Sequence, residues 1–198
     1  MGNISLVKVG GICAILVVAS GIMARFFFGS GDLVMGHWFD LLAGLFSIPA
    51  ALGFYQLLRR EGNVMLTLGL ASFVVGIMGS LFHESVRLAV SYELVSAAFG
   101  EVSWIGGGVG GLFIVIGVLL FSVVILRTSV VAHWIGWVGL IVVVAHVVLG
   151  LVLSGVIEGI RPPWLIVLGS LMVWVLAMAV VMLRLKEPVA PDSMGVSS

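Results

Sequence analysis

The sequence predicts an all-α integral membrane protein, a six-transmembrane-helix bundle with a short amphipathic outer helix between spans three and four. Three observations carry that prediction. Hydrophobic residues make up 62% of the 198 residues and charged residues only 9%, against about 45–50% and about 25% in soluble domains. A soluble fold of this size leaves too much surface exposed to hide that apolar area, and a bilayer removes the difficulty. Second, six apolar runs reach the roughly 20 residues that cross about 30 Å of hydrocarbon at about 1.5 Å per residue. Third, charges and turn formers gather between those runs. A transmembrane barrel would instead alternate apolar and polar residues over segments of about ten. Stretches such as Leu112–Val118 and Leu140–Val144 are apolar on all sides, which belongs to helices.

Span one is expected over Ile4–Phe28. Its apolar run Val9–Ala24 follows Lys8 and is longer than the about 7–15 residues of a signal-peptide core, with no Ala-x-Ala site after it, so the helix is expected to be retained. Gly29-Ser30-Gly31-Asp32 links it to span two, His37–Leu58, where Pro49 removes a backbone hydrogen bond and should kink the helix. Arg59-Arg60-Glu61-Gly62-Asn63 leads into span three, Val64–Ser85. In the connection Val86–Ser103, Leu88, Tyr92, Val95 and Phe99 recur at helical spacing while Arg87, Ser91 and Ser96 fall largely off that face. This predicts an amphipathic helix on the outer surface, ended by Gly100, with an extension of span three as the alternative. Span four follows at Trp104–Leu126, then Arg127-Thr128-Ser129, span five at Val130–Leu153, a link from Ser154 to Pro162, and span six at Pro163–Leu185. Pro162-Pro163 suits the first turn of that last helix. Residues 1–187 therefore read as one transmembrane domain and 188–198 as a flexible tail.

Lys and Arg set the expected orientation. With the N-terminus inside, Lys8, Arg59, Arg60, Arg127, Arg184 and Lys186 fall on the cytoplasmic side, and Arg25, Arg87 and Arg161 on the outer side. Both termini are expected in the cytoplasm of a cell-membrane protein. Asp32, Asp40, Glu84, Glu93, Glu101 and Glu158 fall outside. Trp38, Trp104 and Trp164 stand at outer helix ends and Trp134 and Trp137 near an inner end, where an indole can wet its N–H. Trp174 is the mid-membrane exception, read as packing.

The formal net charge is zero and there is no basic stripe, so nucleic acid is excluded as a partner. The single cysteine, Cys13, forms no intrachain disulfide. The bilayer is the expected partner, with a homo-oligomer or a larger membrane complex open. Gly69, Gly76 and Ser80 on span three, and Gly106, Gly110 and Gly117 on span four, share faces that let two backbones approach closely, within one chain or between copies. The five glycines within Gly106–Gly111 are not a phosphate loop, since no strand precedes them and no Lys-Ser/Thr pair follows.

Ionisable residues are costly inside a membrane and mark candidate sites. Here they avoid the midplane and collect towards the outer leaflet. His37 and Asp40 open span two, His83 and Glu84 close span three, Glu101 precedes span four, and His146 lies in the outer half of span five. These six could converge on an outward-facing polar pocket for a ligand or metal. Histidine and carboxylate ligate divalent metals, two histidines on different helices ligate haem iron, and histidine beside a carboxylate serves as a general base. No His-x-x-x-His or His-Glu-x-x-His pair fixes a metal on one helix, however. Against a pocket stand solvated helix ends, a local network of His83, Glu84 and Arg87, and a neutral His146 bonded to a neighbouring helix. His133, near the inner boundary, reads as interfacial.

Three stretches, GDLVMGHWFDLLAGLF, GFYQLLRREGNVMLTLGLA and VVAHWIGWVGLIVVVAHVVLGLVL, resemble a group of small polytopic bacterial membrane proteins classed as a domain of unknown function. The resemblance implies a compact bundle and brings no activity or functional residue.

The expected function is that of an accessory or structural subunit, or a binder of a lipid-like ligand, with no catalytic motif and no firmly implied cofactor. The alternative is an outward-facing metal- or haem-binding enzyme or redox subunit using His83 and His146, assisted by Glu84 or Asp40. A small transporter ranks last, because spans one to three and four to six show no internal repeat.

Overall fold

The computed structural model describes residues 5–59, 64–153 and 164–184. Among them the chain is all helical: α1 (Leu6–Ser30), α2 (Leu33–Leu58), α3 (Val64–Ser91), α4 (Ala97–Arg127), α5 (His133–Leu153) and α6 (Trp164–Arg184). All six are long and apolar enough to cross a membrane, which fits a multi-pass helical bundle. Large apolar side chains from every helix, Phe26, Leu68, Ile105, Val144 and Ile166 among them, are exposed on its surface. Water would make that surface untenable, and lipid accepts it. The Arg60-to-Asn63 part of the second link, the connection 154–163 with Glu158, Arg161 and the proline pair, the expected ends at Ile4 and Leu185, Lys186 and the tail lie outside the described residues.

Each helix packs antiparallel on its chain neighbours, and α6 returns to α1, closing a ring. We call the end holding Leu6, Leu58 and Arg184 proximal and the end holding Ser30, Ser91 and Leu153 distal. The apolar core fills the proximal half. Phe54 meets Trp174 and Phe121 edge-on at 5.6 and 6.4 Å between centroids, and Phe121 meets Phe73 at 6.0 Å. Leu58, Ile125, Ile135, Met178 and Met182 complete it. Trp174 is fully buried in this core, while Trp38, Trp104, Trp134 and Trp137 are exposed. Close packing extends to α5, where Gly139 leaves room for the Ser122 hydroxyl and the Trp174 indole nitrogen. α2 runs through Pro49 without interruption.

Two turns fix the helical register. Gly31 (φ 86°) caps α1 in the left-handed region, and the Asp32 carboxylate then accepts the Met35 N–H to start α2. At the α3–α4 turn a non-glycine residue, Glu93 (φ 57°), takes the equivalent position. Leu94 N–H donates to Ala89 O (2.9 Å) and Glu93 N–H to Val90 O (3.0 Å), which is a Schellman closure.

That turn corrects the expected outer helix. The Val86–Ser103 segment is not a separate surface element. α3 runs on to Ser91, the chain reverses at 92–95, and α4 begins at Ala97. Leu88 is buried while Tyr92, Val95 and Phe99 are exposed, so the apparent apolar face is cut by the turn. Gly100 is buried inside α4 and ends no helix. Span five likewise starts later than expected, at His133, because residues 128–132 form the connection.

Antiparallel register brings the small residues of α3 and α4 level. Gly69 with Gly117, and Gly76 with Gly110, lie equally far from Glu93 in the chain. A Cβ at Gly110 would stand 2.8 Å from Gly76 O and 3.0 Å from Ser80 N; one at Gly79 would stand 2.8 Å from Gly106 O. The obstructing atoms are backbone and cannot swing away. Gly108 and Gly111 instead face open space. Gly110→Val should therefore lower stability by about 1–3 kcal/mol, read as a fall in the thermal midpoint in detergent. Gly108→Ala should be neutral or stabilising by up to about 1 kcal/mol. Equal effects at the two positions would contradict this packing.

Candidate functional site

The distal polar residues sort into separate clusters. The first joins three helices. His37 on α2 stands 2.7 Å by its Nδ1 from Glu84 Oε2 on α3, the side chains being 9% and 15% exposed. A carboxylate accepts, so His37 donates from Nδ1–H. Asp40, one turn on from His37, pairs with Arg25 of α1, and Arg25, Glu84 and His37 are its electrostatic neighbours. The Arg25 guanidinium also lies over the Phe28 ring (5.1 Å), whose edge meets His37 at 5.0 Å. Arg25 and Asp40 therefore balance each other beside the His37–Glu84 pair, and the four groups close on one another.

The second cluster joins α3 and α4. Ser103 Oγ–H donates to Gly100 O (2.7 Å), which uses its one proton. The contact of His83 Nδ1 with Ser103 Oγ (3.0 Å) is then a donation from the imidazole. His83 and Ser103 are both buried. Gly107 makes room for the ring: a Cβ there would stand 3.1 Å from His83 Cγ. Trp104 packs on His83 at 4.5 Å, and the Arg87 guanidinium lies 5.8 Å from the Trp104 ring. A distal tie from α2 to the α3–α4 turn is added by Trp38 Nε1–H, which donates to the Tyr92 hydroxyl (3.2 Å).

His146 joins neither cluster. Its Nδ1–H donates to Val142 O of its own helix (2.8 Å). α3 and α5 share no substantial interface, because α4 stands between them. Glu101 is exposed on α4 and makes no ion pair among the described residues. His133 closes the α4–α5 connection by donating from Nε2–H to Thr128 O (2.9 Å).

The six candidates thus do not meet in one pocket. Arg25 with Asp40, His37 with Glu84, and His83 with Ser103 are ties between helices. Glu84 spends its carboxylate on α2 and Arg87 its cation on Trp104, which displaces the local His83–Glu84–Arg87 network read from spacing. Among the described residues no group of three or more His, Cys, Asp or Glu is placed to hold a metal ion. His83 and His146 stand on α3 and α5, which share no substantial interface.

Arg25, Ser103 and Trp104 were the side chains that sequence reasoning left out of the site. Hairpin symmetry signals them. Arg25 and Asp40 stand almost equally far from the Gly31-Asp32 turn, and His83 and Ser103 equally far from Glu93. In comparisons with protein-family models, curated proteins and solved structures, nothing matches this chain. The resemblance carried by the three apolar stretches therefore assigns no family.

A double-mutant cycle tests the first cluster. His37→Ala and Glu84→Ala should be non-additive, with a coupling of about 0.5–2 kcal/mol in detergent unfolding, since polar ties between membrane helices average about 0.6 and reach about 1.7 kcal/mol. His146→Ala, which breaks only a bond to its own backbone, should change stability by less than about 1 kcal/mol. Additive singles in the cycle would show that His37 and Glu84 are not energetically tied.

Proposed function

We propose that this chain is a non-catalytic membrane bundle, an accessory or structural subunit or a binder of a lipid-like ligand. One observation carries the reading. The Nδ1 of His37, His83 and His146 and the carboxylates of Asp40 and Glu84 are each matched to another helix or to their own backbone, and no three His, Cys, Asp or Glu gather to hold a metal ion among the described residues. A reaction centre needs a free nucleophile, base or ligand set converging on one point; these side chains converge on each other. The surface left over is apolar, and what an apolar membrane surface recognises is lipid or another apolar helix.

The proposed setting is the cell membrane with both termini cytoplasmic. Support comes from Lys8, Arg59, Arg127 and Arg184 at the proximal end, against Arg25 and Arg87 at the distal end. Of these distal cations, Arg25 is bound to a carboxylate and Arg87 lies over an indole.

Gently purified full-length protein tests the proposal. It should show no Soret band, carry less than stoichiometric metal, and hold co-purifying lipid through detergent exchange. A Soret band or one metal per chain, lost on His83→Ala or His37→Ala while the helical content persists, would overturn it. A C-terminal reporter fusion should report from the cytoplasm, and a signal from the outer side would reverse the orientation.

A further inference from the structure

We infer that the groove between α5 and α6 is a site for one anionic phospholipid, with an acyl chain along α6 and the headgroup phosphate against Arg184. This rests on the membrane-bundle reading above and adds to it the place and the ligand class.

The groove has a volume of about 580 Å³, within the roughly 300–1,000 Å³ of ligand sites. Its α6 wall is one helix face running from Val173 through Leu176, Ala177, Val180 and Val181 to Arg184, and Trp134 and Ile135 of α5 face it. From Val173 to Arg184 this face covers about 16 Å at about 1.5 Å per residue. That is close to one leaflet, half of a hydrocarbon core of about 30 Å. The groove therefore starts near the bilayer middle and ends where headgroups lie.

Its chemistry changes once along that length. The α6 face is aliphatic up to Val181 and cationic at Arg184. Arg184 is exposed and makes no ion pair among the described residues. No acidic residue among the described residues lines the groove, and among them Arg184 has no carboxylate partner of the kind that Arg25 has in Asp40. Trp134, exposed at the same end, offers an indole at the depth where such rings settle. An acyl chain fills the aliphatic part, and a guanidinium holds a phosphate by paired N–H donors. A zwitterionic headgroup brings its own ammonium and gains less from Arg184 than an anionic one.

Native mass spectrometry of the full chain in mild detergent, titrated with dioleoyl phosphatidylglycerol or dioleoyl phosphatidylcholine, tests the site. One phosphatidylglycerol per chain should be held in preference to phosphatidylcholine. Arg184→Gln should reduce that preference by about fivefold, the weight of one cation near an anionic surface. Ala177→Trp should fill the groove and remove the adduct. Val180→Trp serves the same purpose if the first variant does not fold. An unchanged lipid preference in Arg184→Gln, or an adduct that persists in a folded filling variant, would overturn the site. So would a dimer of the chain, free of lipid, that Ala177→Trp dissociates. A chain that stays in water without detergent and ignores vesicles would instead sink the membrane-bundle reading itself.

Discussion

The near contact of two backbones, α3 against α4 at Gly76, Gly79 and Gly110, is the constraint on which the distal half of this protein depends. Lipid gives apolar side chains little reason to leave it, so helices in a bilayer gain by packing surfaces that lipid cannot match. Glycines provide such a surface by letting main chains come together. Once Gly76 lies against Gly110, the positions seven residues nearer the turn on each helix are also level, and they are His83 and Ser103. The same close approach that packs the helices delivers a buried imidazole to a hydroxyl at 3.0 Å. A side chain at Gly110 would separate the helices and undo that hydrogen bond at a distance.

Two different kinds of cohesion divide the bundle along its length. The proximal half is held by an apolar core of aromatic edges and aliphatic side chains drawn from all six helices. The distal half has few buried apolar groups among the described residues, and its ties are polar: Arg25–Asp40, His37–Glu84, Trp38–Tyr92 and His83–Ser103. Those ties connect α1 to α2, α2 to α3 and to the turn after it, and α3 to α4. None reaches α5 or α6. The last two helices are thus joined to the rest mainly through the proximal core, with Trp174 against Phe54 as its centre.

This division bears directly on function. Polar residues near one end of a membrane bundle invite a catalytic or metal-binding reading, because burying them otherwise costs energy. Here the cost is offset by partners on neighbouring helices. A histidine that donates to a carboxylate, beside an arginine that neutralises a second carboxylate, is a stable arrangement without any ligand. Binding capacity shifts to the helices that the polar ties leave out. Between α5 and α6 a leaflet-long groove ends at Arg184, a cation with no ion pair among the described residues, a condition that the proposed lipid headgroup satisfies.

By itself the sequence determined the six long apolar helices, but not the turn that replaces the expected outer helix. Their number and most of their bounds follow from run length and charge placement, since a bilayer forbids unpaired backbone and sets how many apolar residues a span needs. It also marked the glycines that bring α3 and α4 together, because a repeat of small residues on one helical face has few other uses in lipid. What it could not determine was which polar residues meet. His37, Asp40, His83, Glu84, Glu101 and His146 all fall towards one end of the bundle, and that is all that hydropathy reports. Whether Glu84 faces Arg87 on its own helix or His37 on the next is decided by helix rotation and neighbour order. These depend on the turns at Gly31 and Glu93 and on close packing across the interface. The turn at Glu93 was itself hidden, because a non-glycine residue takes the left-handed position where glycine would have announced it. Tertiary structure therefore divided one imagined pocket into separate ties, and it alone formed the α5–α6 groove from residues that read singly as membrane-facing aliphatics.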